Sequence, residues 1–246
     1  MVSIKELRKI CVPKYKTKPP WRILFARKVS IYFTWLFIKT PLVPNQITFM
    51  MLVLGIIVGI LFMFGNYFYS LIAILLFQLA FFIDCSDGEV ARWKKMESSR
   101  GFYLDLMTHI IVNPLIIIGI SIGAFINNPT IIPNYVFLIV GGIATYSLMI
   151  NNFVKLKKYE VYIKLNEFEK LKSLDKRIDA EEDDNSNKIK NEITGFFKIS
   201  IFDALFVFGV LNLLPYLVLL YGILFPLQAI KRFYSEFKSE KSVIPY

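Results

Sequence analysis

Two long stretches without a charged residue limit what this chain can fold into. Ile47 to Phe64 runs for 18 residues with no charge, and Ile110 to Val154 contains none either. A helix needs about 20 apolar residues to cross the roughly 30 Å hydrocarbon layer of a bilayer, so these lengths fit spanning helices. Composition agrees: 55% of the 246 residues are hydrophobic, 20% are charged, and the mean hydropathy is +0.52. A soluble domain of this size usually carries fewer apolar and more charged residues. The chain opens on a basic stretch instead of a short positive segment, apolar core and small-residue cleavage site, so no removable signal peptide is expected. Cys11 and Cys85 are too few for a disulfide framework and read as free thiols.

The expected fold is all-α: a polytopic membrane protein with six transmembrane helices and an N-terminal interfacial amphipathic helix. Residues 1–44 form the N-terminal part, polar and basic to residue 20. Trp21 to Thr40 then mixes apolar residues with Arg22, Arg27 and Lys28, as suits a helix lying in the interface. Pro41 and Pro44 break the chain. A transmembrane domain is expected over 45–231, with spans near 45–64, 67–85, 101–126, 132–152, 198–211 and 213–231. Asn212 and Pro215 mark the turn between the last two spans. Residues 153–198 read as a charged loop, helical at first and flexible after Ser186, and 232–246 as a tail.

The distribution of basic residues orients this arrangement. The segments 1–44, 84–100, 153–198 and 231–246 hold 10, 4, 11 and 4 Lys and Arg residues, which accounts for all 29. Basic residues accumulate on the cytoplasmic side, so both termini and the loops at 84–100 and 153–198 are expected to face the cytosol of an inner or cytoplasmic membrane. The net charge of +10 has the same explanation, and no nucleic-acid partner is expected. Lys94 and Lys95 are read as topology determinants.

One junction gathers chemistry. The second span ends Asp84-Cys85-Ser86-Asp87-Gly88-Glu89-Val90-Ala91-Arg92, and the third begins Gly101-Phe102-Tyr103-Leu104-Asp105-Leu106-Met107-Thr108-His109. A carboxylate at a span centre costs roughly 2.5–3.5 kcal/mol on insertion scales, so such a cluster needs a reason. Asp84 and Asp87, at i and i+3, share a helix face, and Gly88 and Ala91 extend it with almost no side chain. Gly101, Asp105 and His109 recur every four residues and stack on one face of the next helix. Adjacent antiparallel helices can therefore aim three carboxylates and an imidazole into one pocket. A set of hard oxygen ligands points to Mg²⁺ or Mn²⁺. Asp203, near the start of the fifth span, is either a pocket residue or a helix-start carboxylate.

Asp84-x2-Asp87-Gly88-x2-Ala91-Arg92-x8-Gly101-x3-Asp105 resembles the signature of the CDP-alcohol phosphotransferases. That signature continues with x3 and a final Asp, where this chain has His109, its only histidine. Pro44-Asn45-Gln46-Ile47-Thr48 resembles a second, looser element of the family. The resemblance implies a metal-dependent transferase that passes a phospho-alcohol from a CDP-linked donor to a hydroxyl acceptor and releases CMP. It implies Asp84, Asp87 and Asp105 as ligands of two divalent cations, with Gly88, Ala91, Arg92, Gly101 and Asn45 around the CDP. His109 stands where the acceptor's general base is expected, or serves as a nitrogen ligand. A lipid or polar alcohol acceptor, contact with membrane lipids and a homodimer are further implications. Two other readings use the same residues: an ion-coupled transporter with an acidic and histidine relay, and a catalytically inactive homologue. The transporter reading calls for paired broken helices in related halves, which the sequence does not show.

Overall fold

A computed structural model describes residues 3–12, 21–128, 130–164 and 201–239. Within them the regular structure is helical: α1 (Ile4–Cys11), α2 (Trp21–Phe37), α3 (Pro44–Met63), α4 (Tyr67–Lys94), α5 (Ser99–Ile126), α6 (Asn134–Lys164), α7 (Ile201–Val210) and α8 (Leu214–Ser239). Five are long and apolar enough to cross a membrane: α3, α4, α5, the Asn134–Phe153 part of α6, and Leu214–Tyr234 of α8. The chain is thus read as an integral membrane protein. The expected fifth span corresponds to α7, whose ten described residues fall short of a crossing. Residues 198–200 of that span, the loop residues after Lys164, including those beyond Ser186 for which flexibility was expected, and the end of the tail lie outside the described residues.

Several helices run past their expected ends. α4 continues nine residues beyond Cys85 to Lys94, so the whole stretch from Asp84 to Arg92 is helical. It stops where Lys95 adopts a left-handed φ of 54° and the Met96 amide returns to the Ala91 carbonyl at 2.9 Å, a helix-terminating turn. Lys94 does more than orient the chain: its Nζ donates to the carbonyls of Thr40 (3.2 Å) and Leu42 (2.6 Å), tying down the proline-bounded turn after α2. Ser98 caps α5 by accepting from the Gly101 amide at 3.1 Å. α8 likewise runs into the expected tail, as far as Ser239.

The residues divide into two compact units. The first comprises residues up to Leu61 together with Phe68–Ile116. Here α3 presents Gly55 and Gly59, one turn apart, to α5. A Cβ on Gly55 would stand 2.5 Å from Val112 Cγ1, and one on Gly59 2.7 Å from Leu115 Cγ. Small residues at this spacing let membrane helices approach closely where no hydrophobic effect draws them together. In the same unit, Phe37, Ile47, Met51, Ala80, Ile83 and Val90 from α2, α3 and α4 form a buried cluster.

α1 is a helix that the polar, basic character of residues 1–20 did not announce. Ser3 caps it, Glu6 lies in its first turn and Arg8 and Lys9 in its last, all favourable to the helix dipole. It buries Leu7 and Cys11 against Ile31. Burial pushes the Cys11 thiol up to about 11. α2 forms where the interfacial helix was expected, yet its faces are reversed from the usual pattern. Ala26, Ser30, Ile31 and Thr34 are buried, whereas Phe25, Tyr32 and Leu36 are exposed, as suits contact with lipid.

In the second unit (residues 62–67 and 117 onward), α8 packs along α6. Arg232 donates to the Asn151 carbonyl at 2.9 Å, and Asp203 stands in the first turn of α7. Asn212, with φ of 57°, makes the turn between α7 and α8, as its position suggested. Gly65, with φ of +63°, turns the chain between α3 and α4 with its Cα directly against the Gly123 backbone. Gly65→Ala is expected to cost about 1–3 kcal/mol, because a Cβ there is strained in φ and meets a carbonyl oxygen that cannot rotate away. Thermal unfolding in detergent measures this. An unchanged midpoint would show that the turn opens freely.

Candidate active site

The site lies within the first unit, where the end of α4 and the start of α5 face one another. His109 Nε2 stands 3.4 Å from Asp84 Oδ1 and 3.4 Å from Asp105 Oδ1, joining the two helices through one imidazole. One ligand atom from each of Asp84, Asp105 and His109 lies within 4.8 Å of the other two. Periodicity explains the convergence: Asp105 and His109 are one turn apart on α5, and Asp84 projects from the facing helix.

Asp87 sits beside this trio, near enough to Asp84 and Asp105 for their charges to interact. Its Oδ2 accepts a hydrogen bond from Thr48 Oγ1 at 2.7 Å, which attaches the first turn of α3 to the signature. Asn45, on the same turn, reaches Gly101: a Cβ on Gly101 would come 3.2 Å from Asn45 Oδ1. Gly88 leaves space that the Arg92 guanidinium fills, since a Cβ there would lie 3.4 Å from Arg92 Nη1. Ala91 is half-buried on α4 with no side chain to obstruct a ligand. Each signature residue anticipated from the sequence is therefore in this unit, whereas Asp203 belongs to the second. The structure gathers Asp84, Asp105 and His109 most tightly, with Asp87 alongside and the pairs Gly88/Arg92 and Asn45/Gly101 further along.

A divalent cation fits the donor set. Two carboxylates and a neutral imidazole supply oxygen and nitrogen ligands acceptable to Mg²⁺ or Mn²⁺. Asp84 Oδ1 is buried, and the 3.4 Å approach of His109 is longer than a good charge-assisted hydrogen bond. That oxygen is left wanting a closer positive partner.

Two features escaped the sequence reading. One is Thr48, whose hydroxyl gave no sign of its reach to Asp87. The other is Glu89, fully buried between the signature's Gly88 and Ala91. Arg27 Nη1 donates to Glu89 Oε1 at 3.0 Å, Ser30 Oγ to Oε1 at 2.8 Å, and Thr34 Oγ1 to Oε2 at 2.6 Å. Arg27 Nη1 also reaches the Cys85 carbonyl at 2.7 Å, and Ser86 Oγ donates to the Ser30 carbonyl at 3.1 Å. The signal was available. Residues 27, 30 and 34 lie on one helix face, and an acid and a base carried by two largely apolar helices are expected to find each other.

Helices of spanning length and a junction where two carboxylates and an imidazole converge define a polytopic membrane protein with a cluster that could hold a metal ion. A family model described as CDP-alcohol phosphatidyltransferase matches residues 41–174, more than half of the chain, and the chain belongs to that family. A search of curated proteins found no match. The matched region holds the whole site, while α1 precedes it, as does α2 with Arg27, Ser30 and Thr34.

The Glu89 cluster yields a stability prediction. Removing one partner of a buried ion pair leaves an uncompensated charge, so Arg27→Ala is expected to cost about 3–5 kcal/mol. Arg27→Met combined with Glu89→Met should recover most of it, because neither charge then remains. Detergent-stable unfolding midpoints of the three proteins test this. Equal losses in the single and double variants would mean that the pair does not hold α2 in place.

Proposed function

We propose that this protein transfers a phospho-alcohol from a CDP-linked donor to a hydroxyl acceptor, with CMP as the leaving group. The observation that carries this reading is the convergence of Asp84, Asp105 and His109, with Asp87 beside them, on the signature of a chain belonging to the CDP-alcohol phosphatidyltransferase family. The acceptor oxygen forms a bond to the phosphorus that carries the alcohol. The bond from that phosphorus to the bridging oxygen breaks, and CMP departs with the electron pair. The acceptor hydroxyl loses its proton. Basic residues near the site on 84–100 support a cytosolic active site, facing the soluble or interfacial donor.

Asp84, Asp87, Asp105 and His109 would hold divalent cations. When bound, such ions neutralise the pyrophosphate charge and stabilise the charge that develops on the leaving group. The protein's own part is positioning. Thr48 fixes the Asp87 carboxylate, Gly88 and Ala91 leave the α4 face open to the nucleotide, and Asn45 borders Gly101. His109 Nε2 points between the two carboxylates, which supports a ligand role. The second reading, His109 as the base that takes the acceptor's proton, draws on its place at the last signature position and on the capacity of a neutral imidazole nitrogen to accept a proton.

Purified protein supplied with CDP-alcohol donors and Mg²⁺ or Mn²⁺ is expected to release CMP. Asp84→Asn and Asp105→Asn should each lower kcat/KM by at least about 10²-fold, since each removes charge where the site needs it most. Robust turnover by Asp105→Asn would defeat the metal assignment.

The nitrogen ligand also predicts ion preference. Mn²⁺ accepts imidazole more readily than Mg²⁺ does, so Mn²⁺ should bind more tightly, and His109→Asp should shift the preference toward Mg²⁺. Electron spin-echo spectroscopy of bound Mn²⁺ should detect nitrogen coupling in the wild type and lose it in His109→Asp. Turnover with no such coupling would favour the base role over the ligand role.

A further inference from the structure

Arg92, which the reading above places beside the CDP donor, is held by a helix that precedes the family-matched residues. Its Nε donates to the carbonyl of Cys11, the last residue of α1. The last carbonyls of a helix have no partner within it and form the negative end of its dipole, so a guanidinium is well suited to cap them. α1 is fastened where this contact is made. Leu7 and Cys11 are fully buried with Ile31 of α2, and Trp35 and Trp93 close around them.

With Nε engaged, the rest of the guanidinium lies back along α4. A Cβ on Gly88 would stand 3.4 Å from Nη1 and 3.6 Å from Nη2, which places the fork over the stripe that continues one turn on to Asp84. Nη2 is buried and has no hydrogen-bond partner. A buried guanidinium nitrogen without an acceptor is costly, and this planar donor pair is shaped for the oxygens of a phosphate.

We propose that α1, through the Cys11 carbonyl, orients Arg92 so that its terminal nitrogens are presented to a phosphate of the nucleotide donor. Leu7, the buried anchor of α1, is then a positioning residue for donor binding. This inference rests on the reading that the protein binds a CDP-linked donor. It adds that a segment outside the matched region sets the affinity for that donor.

The test is a double-mutant cycle on the full-length protein in detergent or nanodiscs, with Leu7→Glu, Arg92→Lys and the two combined. Calorimetry measures CDP affinity, initial rates give KM and kcat for a CDP-alcohol donor, and Mn²⁺ titration monitors the metal cluster. Leu7→Glu is expected to weaken CDP binding and raise the donor KM about ten-fold, the scale of losing one charged hydrogen bond. kcat and Mn²⁺ affinity should stay within about two-fold. In the Arg92→Lys background, Leu7→Glu should add almost nothing. A full ten-fold loss in both backgrounds, or no loss in either, overturns the proposal. If Leu7→Glu does not fold, Leu7→Ala is read by the same non-additivity. A wild-type protein that binds no CDP and releases no CMP would overturn the functional reading and this inference together. Wild-type turnover with additive mutations would overturn the inference alone.

Discussion

An ionised side chain placed between apolar helices must find a counter-charge, a hydrogen-bond donor or a metal, because the surroundings offer too little water to solvate it. In the first unit the end of α4 carries Asp84, Asp87, Glu89 and Arg92 within nine residues, and each meets this demand differently. Glu89 is satisfied completely, by one guanidinium and two hydroxyls. Asp87 is satisfied in part, by Thr48. Asp84 receives only a distant imidazole, and Arg92 keeps a buried nitrogen without an acceptor. Satisfaction is thus complete at Glu89, which packs on α2, and incomplete at Asp84, which meets α5, and at Nη2 of Arg92. The under-satisfied groups are the ones a cation and a phosphate would complete, and this is the physical reason for reading that face as the site.

The Glu89 cluster explains how the site keeps its shape. A buried carboxylate held by Arg27, Ser30 and Thr34 fixes the rotation of α4 about its axis, because any turn of the helix would break several charged hydrogen bonds at once. Asp84 and Asp87 lie on that helix just before Gly88 and are carried with it. Tight contact of α3 and α5 at Gly55 and Gly59 fixes the opposing helix without any polar contribution. One side of the site is therefore positioned by electrostatics and the other by close packing.

Much of this was legible in the residues. The uncharged runs gave the spans of α3, α4, α5 and most of α6 and α8, since a bilayer imposes length and apolarity with few exceptions. The four-residue rhythm of Gly101, Asp105 and His109 gave one wall of the site. α7 was harder: its ten described residues and its thin separation from α8 leave little periodic pattern to read. α1 was missed because an eight-residue helix with two buried side chains resembles any polar segment until its neighbours are known. The inward polar stripe of α2 was present at 27, 30 and 34, but hydroxyls in apolar helices are common and usually bond to their own backbone.

By itself the sequence determined that this chain enters a membrane, which residue types meet at the α4–α5 junction, and that the last signature position offers nitrogen in place of oxygen. Those properties follow from composition and helical spacing, which are local. Only the tertiary structure decided that Glu89 pairs with α2 and not with the site, that Thr48 holds Asp87, and that the carbonyl of Cys11 accepts from Arg92. These contacts join residues 39 to 81 positions apart. Which distant partner a charge takes is settled by how helices pack, and no local pattern records it.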